Sequence, residues 1–410
     1  MFRNNCDGTF SDMSKASGAD TIGWSVSASF VDYDRDGWLD LYVGTYSQYD
    51  ISADVKCTGL TGTRDYCTPA VYRAQSDRLY RNRGDGTFAD VTAKALLGGS
   101  FGPALGVVAV DVDNDGWMDL YVANDGAENL LWMNQRNGTF SNTALVSGAA
   151  LGENGKPEAS MGVDAGDFDH DGDQDLFTTH LPGEGNNLYV NDGHGVFDDQ
   201  SAKSGLGPLS LGHTGFGTAW FDNDNDGWLD IVAVNGAIQR VEGRGKDSLP
   251  YAEGKLLFRN LGNGHFEDVT KRAGSVFQLQ EISRGAAIGD LDNDGDVDVL
   301  VGNLNGRVRL LINNVGNRNH SVCIRLVGGR QRRDMLGARV EVLKKDGTQL
   351  VSRVRTDGSY ASASDPRVVV GLGASSDPPR VRVRWPNGRL EEWPGVAVDR
   401  CTTLQEGRSQ

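Results

Sequence analysis

Apolar positions along this chain come in short bursts. Segments such as SVSASFVD (from Ser25), GVVAVD (from Gly106), GVDAGD (from Gly162), GTAWFD (from Gly217) and GAAIGD (from Gly285) are rich in small residues. Each leads into a β-rich stretch: WLDLYVGT, WMDLYVAN, DQDLFTTH, WLDIVAVN and DVDVLVGN. A third kind of segment carries a hairpin signal: LYRNRGDGTFADVT from Leu79, LWMNQRNGTFSNT after Leu130, LYVNDGHGVFDDQ from Leu188 and LFRNLGNGHFEDVT from Leu257. Asn, Asp and Gly supply the positive φ angles that tight hairpin turns demand. No segment sustains a 3.6-residue period with caps, so helices are expected to be few.

The bursts repeat as a unit around one acidic phrase. It occurs as DYDRDGWLD (Asp32 to Asp40), DVDNDGWMD (Asp111 to Asp119), DFDHDGDQD (Asp167 to Asp175), DNDNDGWLD (Asp222 to Asp230) and DLDNDGDVD (Asp290 to Asp298). The start-to-start spacings are 79, 56, 55 and 68 residues. A unit of about 55 residues, with insertions in two copies, accounts for them. Each unit reads as four strands in the order A, acidic loop, B, C, turn, D, which is a propeller blade. Small residues in strand A suit a crowded central axis. The fold expected is all-β: a β-propeller over residues 1–316 and a small all-β domain over 317–410. In the latter VRVRW alternates, and Pro386, Asn387 and Gly388 make a hairpin turn.

The acidic phrase has the chemistry of a calcium loop. Asp at positions 1, 3, 5 and 9 sets four carboxylates on one tight curve, and hard oxygen ligands in flexible geometry select Ca²⁺ over Mg²⁺. The expected ligands are Asp32, Asp34, Asp36 and Asp40; Asp111, Asp113, Asp115 and Asp119; Asp167, Asp169, Asp171 and Asp175; Asp222, Asp224, Asp226 and Asp230; and Asp290, Asp292, Asp294 and Asp298. Position 7 (Trp38, Trp117, Asp173, Trp228, Asp296) is expected to offer its backbone carbonyl, because its side chain varies. Gly at position 6 allows the sharp reversal. About one Ca²⁺ per complete blade follows. An EF-hand needs Glu at position 12 and flanking helices. Here position 12 is Val43, Val122, Thr178, Ala233 or Val301, between strands. A metal-free acidic turn would meet carboxylate repulsion in all five copies.

Composition narrows the partners. Fifty-six Asp and Glu against 40 Lys and Arg give a formal charge of −16. That balance disfavours nucleic acid and anionic membranes. No run of 18 apolar residues predicts membrane insertion. Met1 is followed by a polar turn, FRNNCDGTF, rather than a secretory leader. Cys57 and Cys67 share one loop and can pair locally, which suits an oxidising compartment. Cys323 and Cys401, in the first and last strands of the terminal domain, offer a second bridge.

These residues resemble the FG-GAP or VCBS-type repeats of integrin α-chain propellers and of the cartilage acidic protein family. The C-terminal stretch resembles the ASPIC/UnbV domain in NRNHSVCIRLVG (from Asn317), LGARVEV (from Leu336), TDGSYASASDPRVVVGLG (from Thr356) and VRVRWPNGRLEEW (from Val381). YCTPAVYRAQSDRLYRN (Tyr66 to Asn82) resembles a Cys-containing insertion of bacterial members, which supports a Cys57–Cys67 bridge. The resemblance implies seven blades, a leader peptide and an extracellular, cell-surface or periplasmic location. This chain departs from it. FRNNCDGTFSDMS (Phe2 to Ser14) reads as a C–D hairpin without its A and B strands, and VRLLINNVGN (Val308 to Asn317) as a C strand running into the terminal domain. Five complete or nearly complete blades plus a half are expected, with about two blades' worth of sequence and a leader upstream.

Other candidates have plainer readings. Arg83, Gly84 and Asp85 spell an integrin-recognition tripeptide, but the repeat itself asks for Gly-Asp-Gly in that turn. His180, His213, His265 and His320 share no ligand spacing, and no HExxH, GxSxG or GxxxxGK[ST] occurs. Trp38, Trp117 and Trp228 are read as packing between blades rather than as a binding surface. Asn137 and Asn319 begin glycosylation sequons. The leading functional reading is a calcium-stabilised propeller that binds a protein or glycan, with no catalytic constellation. An enzyme (polysaccharide lyase or hydrolase, or biosynthetic cyclase) would need polar residues converging beside the axis. A third reading is a structural repeat in a surface assembly.

Overall fold

Blades of antiparallel strands follow one another around an axis in the computed structural model, which describes residues 1–20, 23–59, 62–95, 99–240 and 250–409. A hairpin of β1 (Phe2–Asn4) and β2 (Phe10–Asp12) leads through α1 (Ser14–Ser17) into the first blade. That blade holds β3 (Ser25–Val31) and β4 (Asp40–Thr45), an insertion bearing the ribbon β5 (Cys57–Thr58) and β6 (Arg64–Asp65), then β7 (Arg78–Asn82) and β8 (Phe88–Asp90). The second has β9 (Ala104–Val110), β10 (Asp119–Asn124), β11 (Leu130–Asn134) and β12 (Phe140–Asn142). The third has β13 (Val163–Gly166), β14 (Asp175–Thr178), β15 (Asn187–Asn191) and β16 (Phe197–Asp199), followed by α2 (Ser201–Ser204) and α3 (Leu206–Ser210). The fourth has β17 (Gly215–Phe221), β18 (Asp230–Asn235), β19 (Leu256–Asn260) and β20 (Phe266–Asp268). The fifth has three strands, β21 (Ser283–Gly289), β22 (Asp298–Asn303) and β23 (Arg309–Leu311).

The innermost strand of each blade packs on the next: β3 on β9, β9 on β13, β13 on β17 and β17 on β21. Closeness there explains the small residues. A Cβ on Gly106 would lie 2.6 Å from the Met161 carbonyl oxygen, and one on Gly217 would lie 2.5 Å from the Ala286 nitrogen. Apolar layers fill the spaces between blades. Val31, Tyr42 and Leu79 meet Val107, Leu120 and Phe140 between the first two, for example. Truncating a fully buried leucine such as Leu120 to Ala costs about 2–5 kcal/mol. The outward face of the fifth blade is different. Leu291, Leu300, Leu310 and Ile312 are exposed there, where a further blade would cover them.

An asparagine at or just past the end of the C strand ties each of the last four blades to the one before. Asn134 Nδ2 donates to the Tyr33 carbonyl, Asn191 to Val112, Asn260 to Phe168 and Asn313 to Asn223, at 2.7–2.9 Å. Their Oδ1 atoms accept backbone N–H groups of the following turn, so one side chain fixes turn, loop and neighbour together. Asn82 holds the same position but donates to Leu39 of its own blade.

The last seven strands form two sheets. β27 (Val368–Gly373), β24 (His320–Val327) and β30 (Cys401–Gln405) make one; β26 (Gln349–Arg353), β25 (Arg339–Leu343), β28 (Arg380–Arg384) and β29 (Leu390–Trp393) make the other. Val322, Ile324, Val340, Val342, Val383 and Trp385 lie between them. Cys323–Cys401 joins β24 to its parallel neighbour β30, and Cys57–Cys67 staples the first-blade insertion.

The connection from β26 to β27 enters the propeller axis. Gly358 N–H donates to Val107, Ser359 exchanges both backbone bonds with Val163, and Asp365 N–H donates to Ile288. Thr218 N–H donates to Ser359 Oγ, and Ala361 N–H to Ser27 Oγ. The innermost strand of every blade is therefore touched. Charge is buried with this loop. Asp357 Oδ2 accepts Ser29 Oγ and Ala109 N–H, both at 2.7 Å, and Oδ1 pairs with Arg353 at 3.1 Å. Asp164 of the third blade pairs with Arg355 at 2.5 Å and accepts Trp220 N–H. Burial pushes the Asp164 carboxyl up, while Arg355 and Arg353 act against that rise.

Two substitutions test these ties. Asn191→Ala strips partners from buried groups in two blades and should cost about 3 kcal/mol in chemical denaturation. Asn82→Ala should cost less; equal losses would refute the interblade role. Asp164→Ala leaves Arg355 and Arg353 without that carboxylate and should cost about 3–5 kcal/mol, read as a lowered unfolding midpoint.

Candidate metal centres

Each A–B connection folds the acidic phrase into the same compact loop. Position 4 takes a left-handed conformation in every copy: Arg35, Asn114, His170, Asn225 and Asn293 have φ between 53° and 65°. Gly at position 6 follows at φ 87–101°. Two left-handed residues in three positions curl the backbone until the carboxylates converge. The position-1 carboxylate accepts the position-6 N–H in Asp32–Gly37, Asp111–Gly116 and Asp222–Gly227, at 2.8–3.1 Å.

Three of the four expected carboxylates converge in each of the five loops, in two groupings. Oxygens of Asp32, Asp34 and Asp36 lie within 4.8 Å of one another, as do those of Asp111, Asp113 and Asp115, and of Asp290, Asp292 and Asp294. In the third and fourth loops the groups are Asp167, Asp169 and Asp175, and Asp222, Asp224 and Asp230. The position-9 aspartates also brace the blade. One oxygen of each (Asp40, Asp119, Asp175, Asp230, Asp298) accepts the position-2 N–H, and the other accepts the N–H of the C-strand asparagine.

The residues fit a hard cation. Oδ1 of Asp32, Asp111, Asp167 and Asp290 is buried without a hydrogen-bond partner, as are both oxygens of Asp167 and Oδ1 of Asp169 and Asp224. A buried carboxylate oxygen with no donor is costly unless a cation or proton meets it. Burial first, then neighbouring carboxylates, pushes Asp167 up to about 7 and Asp222 to about 8. Burial raises Asp32 and Asp111 to about 6 and Asp40 to about 8. Arginines meet the outer carboxylates in three loops: Arg81 at Asp34 and Asp36, Arg136 at Asp115, and Arg259 at Asp224 and Asp226.

Position 7 serves packing. A Cβ on Gly84 or Gly262 would lie 2.9 or 2.8 Å from the rings of Trp38 or Trp228, so each indole lies on the C–D turn of its own blade. His170 of the third loop stacks on Trp228 at 3.8 Å, and the Arg35 guanidinium lies 4.2 Å over Trp117. The Arg83-Gly84-Asp85 turn is thus shaped by Trp38. Asp173 and Asp296, at position 7 elsewhere, are pushed up to about 8 and about 7, burial leading.

The terminal domain sits across these loops. Arg333 donates to the Gly37 carbonyl at 2.9 Å. Arg339 spans two loops, reaching Asn114 Oδ1 at 2.9 Å and the Gly172 carbonyl at 2.5 Å. Asn319 and Gly373 donate to the Asp224 and Asn225 carbonyls, both at 2.8 Å. Arg367 reaches the Asp290 carbonyl and Asn293 Oδ1, and Ser321 the Gly295 carbonyl. Position 4 and the bridging arginines escaped the sequence reading. Left-handed Asn at three of the five position-4 sites was the available signal for the first. The arginines carry no periodic mark. The C-strand asparagine was legible, because it recurs in LYRN, LWMN, LYVN, LFRN and LLIN.

One constellation elsewhere has the residue types of a hydrolytic triad. Ser160 Oγ lies 2.9 Å from His180 Nε2 and Glu158 Oε2 lies 3.9 Å from that same nitrogen. A relay needs the carboxylate on the opposite ring nitrogen. His180 Nδ1 has no hydrogen-bond partner, and burial pushes the imidazole down to about 3. These three residues are core packing.

Comparison with known proteins places the chain. Residues 1–43, 62–122, 111–178, 167–233 and 251–301 match the FG-GAP-like repeat, and residues 328–410 match ASPIC and UnbV. Cartilage acidic protein 1 of Mus musculus is 33% identical over 96 residues, covering 20% of this chain and 15% of that protein. Its Xenopus tropicalis counterpart is 40% identical over 57 residues, covering 14% and 9%. The chain thus spans a small share of these relatives' length. A lectin of Agrocybe aegerita that recognises non-reducing terminal N-acetylglucosamine has 17% identity and a TM-score of 0.39, over 77% of this chain and 76% of that one. The Dos1 propeller has 11% identity and a TM-score of 0.36, over 93% and 85%. With repeats matched over more than half its length, the chain belongs to the FG-GAP-like repeat proteins and carries an ASPIC and UnbV domain at residues 328–410.

Proposed function

We propose that the protein is a calcium-binding extracellular propeller that serves as a binding or scaffold module for a protein or glycan partner. The observation that carries the calcium reading is the set of five in-phase loops whose converging carboxylates keep buried oxygens without donors. Asp at positions 1, 3, 5 and 9 would hold the ion, with the position-7 carbonyl completing the set; the ion would supply the positive charge that the buried carboxylates lack. Two disulfides support an oxidising, extracellular setting. Because the terminal domain occupies the metal-loop face, the partner surface in this reading is the opposite face, where the A–B loops do not reach.

Calcium should raise the melting midpoint of the intact chain. At free calcium 100 times the dissociation constant each site adds about 2.7 kcal/mol. A midpoint that is the same in calcium and in chelator would refute the stabilising role.

A pH dependence should accompany it. The loop carboxylates are held above their unfolded values, near 6 to 8. The folded, metal-free chain therefore binds protons more tightly than the unfolded one. Its stability falls as pH rises from about 4 through that window. Melting in chelator at pH 5.5 and at pH 8 should give the lower midpoint at pH 8, and calcium should reduce that difference. Other buried acids, such as Asp77 and Glu158, share the direction, so the calcium-sensitive part isolates the loops.

A further inference from the structure

The mouth of the axis opposite the metal loops is open and aromatic. A cavity of about 740 Å³ lies there, within the size range of small-ligand sites. Its floor is Tyr360, from the axial loop, set edge-on to Phe216 at 5.0 Å. One wall is a chain of rings in edge contact: Tyr46 to Trp24 and Trp24 to Tyr49, each 5.4 Å apart, then Tyr49 to Tyr72 at 5.6 Å. The other pairs Tyr66 with Tyr251 at 5.5 Å. Trp24 is 47% exposed and Tyr66 57% exposed, so large ring surfaces face the opening. The stapled first-blade insertion supplies Tyr49, Tyr66 and Tyr72.

The charges in this cavity are unevenly partnered. Asp54 pairs with Arg64 at 2.9 Å, Asp65 accepts the Tyr251 hydroxyl at 3.0 Å, and Asp125 accepts the Tyr46 hydroxyl at 2.7 Å. Arg284 differs. Its guanidinium lies 3.9 Å over the Phe216 ring and donates to the carbonyls of Gly236, Ser283 and Ala237. Among the described residues no carboxylate lies within ion-pair distance of it. A part-buried arginine that meets carbonyls alone retains a full positive charge for a ligand anion.

We propose that this cavity binds an oligosaccharide containing a uronic acid, with sugar rings stacked on Trp24 and Tyr66 and the carboxylate received by Arg284. This rests on the binding-module reading and names its ligand class. A pyranose has an apolar C–H face and a polar rim, so flat rings flanked by hydroxyls and carboxylates suit it. The tyrosine hydroxyls and Asp65 and Asp125 offer partners to the rim. Arg284 sets the preference for an acidic sugar over a cationic ligand.

The test uses the full chain in calcium, titrated calorimetrically with tetragalacturonate, a hyaluronan tetrasaccharide, the methyl ester of tetragalacturonate and cellotetraose. At least one acidic probe should bind tenfold more tightly than the neutral ones, with quenching of tryptophan fluorescence that Trp24→Phe diminishes. Arg284→Gln should erase the preference of the acid over its methyl ester. Should that variant misfold, Trp24→Ala, at an exposed position, must still weaken every saccharide tenfold. Equal binding of acid and methyl ester would overturn the proposal. So would acidic binding that neither variant alters, binding of protein partners alone, or no saccharide binding by a chain that calcium stabilises. In that last case the calcium reading survives and the ligand class fails.

Discussion

Five inner strands converging on an axis leave a physical problem that the terminal domain solves. Close approach demands small residues, and small residues leave backbone groups and buried polar atoms facing one another with little to satisfy them. The β26–β27 loop meets that need. It hydrogen-bonds to all five inner strands and brings Asp357 to Ser29 and Ala109, and Arg355 to Asp164. Buried charges of this kind are unfavourable singly and tolerable as a network. The domain is thus part of the propeller's core, although it lies beyond the repeats in the chain.

That arrangement moves the working surface. The acidic loops are interfaces to the chain's own domain, through Arg333, Arg339 and Arg367. The free mouth belongs to the B–C and D–A connections and to the first-blade insertion. Those segments are not bound by the repeat, so they can vary without disturbing strand packing.

Most of the blade was legible because its signals are local and periodic. Loop, glycine, small inner strand and Asn-Gly turn each recur in phase, and each has a steric reason. Trp38, expected to pack between blades, instead lies on the C–D turn of its own blade, while Trp117 and Trp228 do meet Arg35 and His170 of the neighbouring blade. The axial loop was not legible. TDGSYASASDP looks like an ordinary polar turn, and its partners on the inner strands lie between 76 and 334 residues away in the chain. No sequence period records such contacts. Arg35 and His170 in left-handed conformations were also hidden, since nothing in their residue types announces positive φ. The two groupings of carboxylates depend on side-chain direction, which spacing does not fix.

The same nine residues face two ways, and their geometry links the two sides. Positions 1 and 3, with position 5 in three loops and position 9 in two, turn oxygens inward. Backbone carbonyls at position 6 of the first, third and fifth loops, and at positions 3 and 4 of the fourth, turn outward to the terminal domain. A cation on the inner side would hold the curl that presents those carbonyls. Losing it would release repulsion among the carboxylates and distort the outer side with them. On the proposed calcium reading, docking of the domain, filling of the axis by its loop, and placement of Tyr360 at the far mouth would then depend in sequence on the charge balance of five small loops.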